Sequence, residues 1–251
     1  MPSGSGEGET PEERKSREGR ESASSRSGGS KGGGSDLPEE LRHDRAEFLA
    51  RLAPWIERGA IGAPTIEKLD EYAVLLYERI PTLALIGKGD RALVYTRHIL
   101  DSLNPLSEFA TPPEEILDIG SGGGLPGLPL ALAWPDARVV LLEARERKAA
   151  FLERAVRQLG LSRRVRVLCE RLEEHAQKCG PVYDALFMRA VADPAALVDE
   201  AAPCCRPGAR WVYFLGAGID RAVLAAALGA TGRKGEAIRG AFGGSLLVGD
   251  V

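Results

Sequence analysis

The feature that most constrains this fold is a glycine-rich turn within the segment ILDIGSGGGLPGLPLAL, residues 116–132. An apolar stretch ends at Asp118, and four of the five residues from 120 to 124 are glycine. Glycine adopts positive φ at low cost and lets a ligand approach the backbone closely. A turn that leads into a helix presents free N–H groups and the positive end of the helix dipole. The segment therefore predicts a binding site for an anionic or adenosyl-type group.

Strand-like and helix-like segments alternate after the turn begins, which predicts an α/β fold. Short apolar segments are separated by stretches whose apolar residues recur at three- and four-residue steps, as in helices. This alternation is typical of a parallel sheet with helices on both faces, where ligands bind beyond the carboxyl ends of the strands. The predicted strands are 116–119, 138–143, 165–169, 183–188, 209–215 and 245–251, and the predicted helices are 126–134, 146–159, 194–204 and about 219–228.

Composition and periodicity divide the chain into three regions. Residues 1–36 contain mostly Gly, Ser, Glu and Arg, and we expect a disordered tail because they cannot bury enough apolar surface to offset their ordering entropy. Residues 37–105 show three helical patterns, the second of them opened by Pro64, and predict a helical N-terminal subdomain. Residues 106–251 contain the glycine turn and are the predicted ligand-binding domain.

Two acidic residues narrow the choice of ligand. Residues 122–127, GGGLPG, match the GxGxxG pattern of dinucleotide sites, but that match is weak by itself. Asp118, at the end of the first strand, would repel a pyrophosphate and suits the positive groups of S-adenosylmethionine. Glu143 ends the second strand about 20 residues further on, where an acid accepts hydrogen bonds from ribose hydroxyls. We predict S-adenosylmethionine, with a dinucleotide or a turn that binds nothing as the alternatives.

Five motifs in consistent order resemble the ribosomal RNA small subunit methyltransferase G family, also called the glucose-inhibited division protein B family. They are DIGSGGGLPGLPLAL, RHILDSL, FLERAVRQLGL, ERLEE and RAVA, and the likeness covers about residues 65–250. The resemblance implies a class I methyltransferase fold, which is a Rossmann-like parallel sheet with an antiparallel last strand, behind an N-terminal helical cap. It implies an enzyme that uses S-adenosylmethionine to methylate N7 of a guanine in 16S ribosomal RNA.

The resemblance also implies roles for individual residues. It places the cofactor against Gly120 and Leu125 in the turn, Leu172 and Glu173 after the third strand, and Arg189 after the fourth. Asp118, Gly122 and Glu143 complete the cofactor site that the residues themselves predict.

This sequence departs from the family pattern at three places. Ala84-Leu85-Ile86 stands where the family has Asn-Leu-Thr, and Leu215 stands where the family has a lysine. Glu143-Ala144 replaces an acid-serine pair in which the acid is usually aspartate. Glutamate in place of aspartate is a chemically mild change. The missing Asn and Lys are residues expected to face the cofactor or the RNA.

The residues fit methylation at a ring nitrogen. Guanine N7 already carries an exposed lone pair, so an enzyme needs positioning more than it needs a general base. YDALFM is not followed by the Asn-Pro-Pro-aromatic motif of amino-directed enzymes, and no cysteine stands where a carbon-5 enzyme places its nucleophile. Arg189 is the predicted catalytic residue, because a guanidinium can donate two hydrogen bonds to a carboxylate or to guanine O6. The alternative for Arg189 is a salt bridge to an acid of the helical cap.

A basic segment predicts the RNA-facing surface. Residues 145–171 carry nine Lys or Arg against three acids, a net charge of +6, although the whole chain has a net charge of −3. Phosphate contacts supply most of the non-specific affinity for RNA. A solvated helix face is the alternative. The predicted RNA contacts are Arg145, Arg147, Lys148, Arg163 and Arg164.

Cysteines, histidines and hydropathy limit the remaining possibilities. Four cysteines form no CxxC pair and no zinc spacing, so we expect reduced thiols and no metal site. His43, His98 and His175 are expected to be structural or at the surface. The chain shows no apolar run near the ~20 residues that span a bilayer and no signal region, so we expect a cytoplasmic protein.

The sequence leaves three functions open. The favoured one is a methyltransferase that acts on 16S rRNA or on the small ribosomal subunit, as a monomer. A catalytically degenerate methyltransferase fold could instead act as a ribosome-assembly or RNA-binding factor. A small-molecule methyltransferase is the third possibility. The intact Asp118, Gly120, Gly122 and Glu143 favour an enzyme over a degenerate fold.

Overall fold

The computed structural model describes residues 37–191, 193–215 and 235–251. The predicted disordered tail, residues 1–36, and the predicted helix near residues 219–228 lie outside the described residues. The described chain belongs to one compact unit that runs from Asp36 to Val251. None of its helices combines the length and the apolar character that crossing a bilayer would require.

The N-terminal region is helical, as predicted. Helix α1 buries Leu41, Phe48 and Leu52, which recur at seven- and four-residue spacings on one face. Helix α2 has a proline in its first turn, where a missing N–H costs nothing. A string of short helical turns follows α2. The elements are α1 (Glu39–Glu57), α2 (Ala63–Leu83), a 3₁₀ turn (Lys88–Leu93), a π-helical segment (Val94–Ile99), α3 (Leu100–Ser102) and a second 3₁₀ turn (Asn104–Ser107).

Buried polar contacts hold these helices together. The carboxylate of Asp44 accepts the backbone N–H groups of Tyr95 at 2.6 Å and of Thr96 at 3.1 Å. Asp70 accepts two hydrogen bonds from the Arg45 guanidinium, both at 2.7 Å, and one from the Tyr95 hydroxyl at 2.7 Å. Both carboxylates are buried, so these partners offset the free energy lost on removing each charge from water.

Within the described residues, seven strands form one sheet in the order β3-β2-β1-β4-β5-β7-β6. The first five strands pair in parallel, and β7 pairs antiparallel with both β5 and β6. The predicted fold class, a class I methyltransferase sheet with an antiparallel last strand, is confirmed. The strands are β1 (Glu115–Ile119), β2 (Arg138–Leu142), β3 (Val165–Leu168), β4 (Tyr183–Arg189), β5 (Cys205–Leu215), β6 (Gly235–Arg239) and β7 (Ser245–Asp250).

Helices cover both faces of the sheet, and the helical N-terminal region shares its core. Phe48 and Leu76 from the N-terminal helices belong to the same buried cluster as Ile116 and Leu141 of the sheet. The boundary predicted at residue 105 therefore marks a change of secondary structure and not a separate core. The crossover elements are α4 (Gly127–Ala133), α5 (Glu146–Gln158), α6 (Leu172–Ala176), α7 (Pro194–Ala201) and a 3₁₀ turn (Ala202–Cys204).

The register of the three central strands determines where the site forms. Ile119 at the end of β1 pairs with Leu142 of β2 and with Met188 of β4. The strands therefore end at the same level, and the residues that follow them meet at one edge. Gly120, Glu143 and Arg189 all lie at this carboxyl edge, where parallel sheets bind ligands.

Candidate active site

A cleft of about 950 Å³ lies at the carboxyl edge of the sheet. Its volume is within the ~300–1,000 Å³ typical of small-molecule sites. The walls come from the glycine turn, the ends of β2, β4 and β5, and the N-terminal helical region. The side chains that line the cleft include Arg51, Leu85, Ile86, Asp90, Arg97, His98, Asp101, Leu125, Glu143, Arg145, Lys148, Arg189, Val191, Leu215 and Arg239.

The glycine turn forms the floor of the cleft. Gly120 has φ +72° and Gly122 has φ +56°, values that L side chains rarely adopt. A Cβ added to Gly120 would lie 3.4 Å from Val191 Cγ1, so a larger side chain there would crowd Val191 and enter the cleft that both residues line. The hydroxyl of Tyr72, on α2, donates to the carbonyl of Gly123 at 2.8 Å and ties the turn to the helical region.

Glu143 places a buried carboxylate in the cleft. One oxygen accepts the backbone N–H of Gly122 at 2.9 Å, and the other accepts the N–H of Arg145 at 2.9 Å. The side chain is 7% exposed and faces the cleft. Each carboxylate oxygen accepts more than one hydrogen bond, so both retain capacity for ribose hydroxyls. The structure thus brings the predicted acid and the predicted turn together.

The carboxylate of Asp118 is outside the cleft lining, so its contact with a cofactor stays a prediction. It lies beneath the turn, 1% exposed, and one oxygen accepts the N–H of Gly127 at 3.1 Å. A Cβ on Gly127 would lie 2.6 Å from Asp118 Oδ2, so α4 can pack this closely only with glycine there. Burial raises the pKa of Asp118 from 3.8 to about 7, against the opposing effects of Ser121 and the Gly127 N–H. Asp118 therefore supports the turn and does not supply a full charge to the cleft.

Arg189 combines the two roles that the sequence left as alternatives. Its guanidinium pairs with Asp101 Oδ2 at 3.1 Å, which is the predicted salt bridge to an acid of the helical region. It also donates to the carbonyl of His98 at 3.3 Å and to the hydroxyl of Ser102 at 3.2 Å. Arg189 nevertheless lines the cleft, with 18% of its side chain exposed. A single side chain thus joins β4 to the helical region and presents a positive charge to the cleft.

His98 lies beside Arg189 and is held neutral. Burial lowers the pKa of His98 to about 4, and the positive charge of Arg189 adds to that effect. Asp90 lies 3.2 Å from His98 Nε2 and acts in the opposite direction. His98 is therefore a neutral imidazole near pH 7, and its contacts with Arg189 and burial agree with its predicted structural role.

Three further predicted cofactor residues differ in position. Leu125 is buried and lines the cleft. Leu172 is buried at the start of α6, and Glu173 is exposed beside it. Neither of these two lines the cleft, so a cofactor contact by them stays a prediction.

The predicted RNA contacts divide between two edges of the sheet. Arg145 and Lys148 line the cleft at the start of α5, and Arg147 is exposed on the same helix. Arg163 is exposed and stands two residues before β3, so it lies at the amino edge of the parallel strands, away from the cleft.

Arg164 requires a correction, because its guanidinium is used within the fold. It donates to the carbonyls of Trp134 at 3.3 Å, of Ala137 at 3.1 Å and of Ala131 at 2.5 Å. These carbonyls lie at and after the C-terminus of α4, where a helix leaves acceptors unpaired and favours a positive charge. Arg164 caps a helix and is not available to a phosphate.

Sequence reasoning missed three cleft arginines. Arg51 on α1, Arg97 on the π-helical segment and Arg239 at the end of β6 line the same cleft. Of these three residues, only Arg97 could have been linked to the site from the sequence, because it belongs to the RHILDSL motif. Arg51 and Arg239 are brought to the site by tertiary folding alone.

Two departures from the family pattern have different structural settings. Ala84 follows α2 with φ +46°, a left-handed helix cap where Asn is better tolerated than Ala. Its neighbours Leu85 and Ile86 line the cleft, and Ala84 is exposed outside the lining. Leu215 lines the cleft at the end of β5. The lost Asn thus concerns a helix end, whereas the lost Lys changes the cleft itself.

Comparison with known sequences points to one family. The model of the rRNA small subunit methyltransferase G family matches residues 65–226. The Ribosomal RNA small subunit methyltransferase G of Roseiflexus castenholzii is 36% identical over 179 residues, covering 69% of this chain and 74% of the relative. The protein of the same name from Laribacter hongkongensis is 36% identical over 190 residues, covering 75% and 84%.

Solved structures share the fold at low sequence identity. A methyltransferase from Geobacter sulfurreducens has a TM-score of 0.51 and 17% identity, covering 71% of this chain and 90% of that structure. The mitomycin 7-O-methyltransferase MmcR has a TM-score of 0.53 and 16% identity, covering 86% and 74%. At these identities the likeness establishes the fold alone.

Proposed function

The chain belongs to the ribosomal RNA small subunit methyltransferase G family, and we propose that it transfers a methyl group from S-adenosylmethionine to N7 of a guanine in 16S ribosomal RNA. The observation that carries this proposal is the pairing of the Glu143 carboxylate with the glycine turn at the floor of a cationic cleft. An rRNA substrate also places the protein in the cytoplasm, where we expect a monomer.

The residues of the cleft fit an adenosyl ligand. Gly120 leaves open the space that a Cβ would fill opposite Val191. Glu143 retains acceptor capacity, which suits a ribose with two hydroxyl donors. Leu125 adds apolar surface beside the turn. We propose that Glu143 and the turn from Gly120 to Gly122 hold the adenosine, while Leu172 and Glu173 stay candidates for its adenine end.

S-adenosylmethionine, when bound, supplies a methyl group made electrophilic by its sulfonium. The chain's contribution is to hold guanine N7 in line with that methyl group, because the N7 lone pair needs no prior deprotonation. The side chains of the cleft agree with a mechanism in which the protein positions the base and removes no proton from it. Burial and the charge of Arg189 lower the pKa of His98 to about 4, so His98 is a weak base and is not needed for transfer to N7.

Charge in the cleft bears on the methylated product. Methylation at N7 leaves positive charge on the guanine, which nearby carboxylates stabilise and free cations oppose. Asp101 and Glu143 line the cleft, and Asp101 also neutralises Arg189 through their ion pair. We propose that Arg189 orients guanine O6 or the carboxylate of the cofactor, while Asp101 limits its repulsion of the charged base.

Basic residues at the cleft suit an RNA backbone. Arg51, Arg97 and Arg239 lie on the side of the helical region and β6, and Arg145 and Lys148 lie beside the turn. Phosphates that approach from either side would meet positive charge, which supplies affinity without sequence preference. The target guanine would enter the cleft between these two groups.

The experiment is methyl transfer to small ribosomal subunits that lack the modification, followed by nuclease digestion and identification of the methylated nucleoside. Wild-type protein should produce N7-methylguanosine. Replacing Arg145 and Lys148 by Glu should weaken RNA binding and lower its salt dependence. The matched control replaces Arg163 and Arg166, which are exposed at the other edge, by Glu and should bind RNA nearly as the wild type does.

Two results would contradict the proposal. Tight RNA binding without transfer to any RNA would support an assembly factor with a degenerate fold. Equal loss of RNA binding in both pairs of variants would show that binding depends on net charge and not on the cleft.

A further inference from the structure

A cluster of metal-ligating side chains lies at the amino edge of the sheet, opposite the cleft. His175 is on α6, Cys179 follows that helix, and Cys204 ends the 3₁₀ turn before β5. One ligand atom from each of the three residues lies within 4.8 Å of the others. The spacing along the chain predicted no zinc site because Cys204 is brought in by the fold of the sheet.

The backbone holds these residues in place. The N–H of Cys179 donates to the carbonyl of His175 at 3.0 Å, and the N–H of Val182 donates to the carbonyl of Cys204 at 2.8 Å. His175 and Cys204 are buried, and Cys179 is partly exposed. The backbone therefore holds the three residues of the cluster in place, and solvent reaches the cluster through Cys179.

His175 is oriented as a metal-binding histidine is. Its Nδ1 lies 2.9 Å from Glu170 Oε1, and its Nε2 lies 2.8 Å from the Tyr183 hydroxyl. Lys178 Nζ lies 2.8 Å from the other oxygen of Glu170, so this carboxylate is held in place beside the imidazole. With Nδ1 beside Glu170, Nε2 is the ring nitrogen directed towards Tyr183. A carboxylate that accepts the far ring N–H is the usual support of a zinc-bound histidine.

Tyr183 lies beside the two thiols as well as beside His175. Its hydroxyl lies 2.8 Å from His175 Nε2, and one ligand atom of His175 lies within 4.8 Å of both sulfur atoms. The imidazole of His175 and the two sulfur atoms thus border the same small volume. A fourth oxygen ligand, the Tyr183 hydroxyl or a water, is available there.

We propose that His175, Cys179 and Cys204 bind a zinc ion that links α6 to the amino ends of β4 and β5. Two thiolates and an imidazole are a common zinc ligand set, with Zn–S near 2.3 Å and Zn–N near 2.0 Å. Tetrahedral geometry at those lengths separates the ligand atoms by roughly 3.5–3.8 Å, so atoms that lie up to 4.8 Å apart need to approach one another by about 1.3 Å at most. Binding replaces both S–H protons with Zn–S bonds and releases two protons.

Burial of the Cys204 thiol distinguishes this site from a reactive cysteine. Burial raises the pKa of Cys204 to about 12, so the free thiol is protonated and a weak nucleophile at neutral pH. Zinc binding competes with those protons, so affinity should rise with pH. The proposal does not rest on the methyltransferase function, since the cluster lies at the opposite edge of the sheet.

The experiment titrates the reduced, chelator-treated full chain with Co²⁺ under anaerobic conditions and then adds Zn²⁺. We expect a single Co²⁺ per chain with thiolate-to-cobalt absorption, displacement by Zn²⁺, and a higher unfolding temperature with Zn²⁺. Cys179→Ser and Cys204→Ser should each weaken binding at least roughly 100-fold, and Glu170→Gln should weaken it by about 10–100-fold. Cys169→Ser is the matched control, since Cys169 is exposed and outside the cluster, and should bind as the wild type does.

The readout on the wild-type chain does not depend on the variants folding. Absence of thiolate-to-cobalt absorption in the wild type would overturn the proposal, as would equal loss of binding in Cys169→Ser. A disulfide between Cys179 and Cys204 whose reduction yields no stoichiometric zinc binding would also overturn it. Binding of S-adenosylmethionine should be the same with and without zinc.

Discussion

The carboxylate of Glu143 accepts a hydrogen bond from the backbone N–H of Gly122 over 2.9 Å. This contact joins the end of β2 to the glycine turn at the floor of the cleft. The same side chain also accepts the N–H of Arg145, so it fixes the start of α5. The residue proposed to hold the ribose therefore also shapes the turn that surrounds it.

Replacing Glu143 by Gln should weaken S-adenosylmethionine binding by about 1.5–3 kcal/mol, the range for hydrogen bonds to charged groups. The amide keeps the size of the side chain but offers one acceptor oxygen where the carboxylate offers two. Calorimetry measures the effect, and circular dichroism checks that the fold persists. Glu174→Gln, at an exposed residue outside the cleft lining, is the control and should bind normally. Unchanged affinity in Glu143→Gln would remove this residue from the site.

Replacing Gly120 by Val should abolish cofactor binding. The loss should exceed what the backbone strain of the substitution alone would cause. The control is Gly160→Val, because Gly160 has φ +74°, nearly the φ +72° of Gly120, but open space around its Cβ position. Left-handed conformations cost non-glycine residues about 1–2 kcal/mol, so both variants should lose similar stability in urea titrations. Only Gly120→Val should lose S-adenosylmethionine binding. Equal binding by both variants would show that the turn is not the ligand site.

Replacing Asp118 by Asn should change how stability depends on pH. Burial raises the pKa of Asp118 to about 7, so the folded state holds its proton more tightly than the unfolded state does. This contribution is fully present below pH 3.8 and is lost as the pH rises through 7. Between pH 5 and pH 8 the wild type should lose on the order of 2 kcal/mol relative to Asp118→Asn.

Urea titrations of both proteins at the two pH values measure this difference. The lowered pKa of His98 gives stability the opposite trend, rising with pH from about 4 to 6.5, but it acts on both proteins and cancels. A constant gap between wild type and Asp118→Asn would show that the carboxyl is ionised throughout.

Replacing Arg189 by Lys should lower kcat more than it lowers stability. Lysine keeps the charge but cannot hold the several acceptors that the guanidinium contacts, from His98 to Ser102. Loss of one positioned donor typically costs about 100-fold in kcat. Asp101→Asn breaks the same ion pair from the other side and serves as the comparison. Equal effects of both variants on stability, with kcat retained, would make Arg189 a docking residue alone.

Local patterns in the sequence predicted the secondary-structure elements that form the site. The strands, the turn from Gly120 to Gly124 and the position of Glu143 follow from periodicity and spacing, because each depends on neighbouring residues. Parallel pairing then places strand ends at one edge. Glu143 and Gly122 could therefore be assigned to the same site before their hydrogen bond was seen.

The sequence was least informative where packing decides the role of a side chain. Asp118 is covered by α4, whose approach depends on Gly127, and no local pattern shows that its carboxylate is buried. Arg164 belonged to a basic segment, but the carbonyls it caps belong to another helix. Cys204 of the proposed zinc site and the cleft residues Arg51 and Arg239 are also distant along the chain from the residues they join.

The most direct test of the proposed function maps N7-methylguanosine in 16S rRNA from a strain that lacks the gene for this chain. Borohydride and aniline treatment cleaves RNA at N7-methylguanosine, so each modified position gives a cleavage product. The deletion strain should lose one such product, and the wild-type gene should restore it while Gly120→Val should not. A cleavage pattern identical in the parent and deletion strains would contradict the rRNA assignment, and Leu215 in the cleft would then be the first place to seek another substrate.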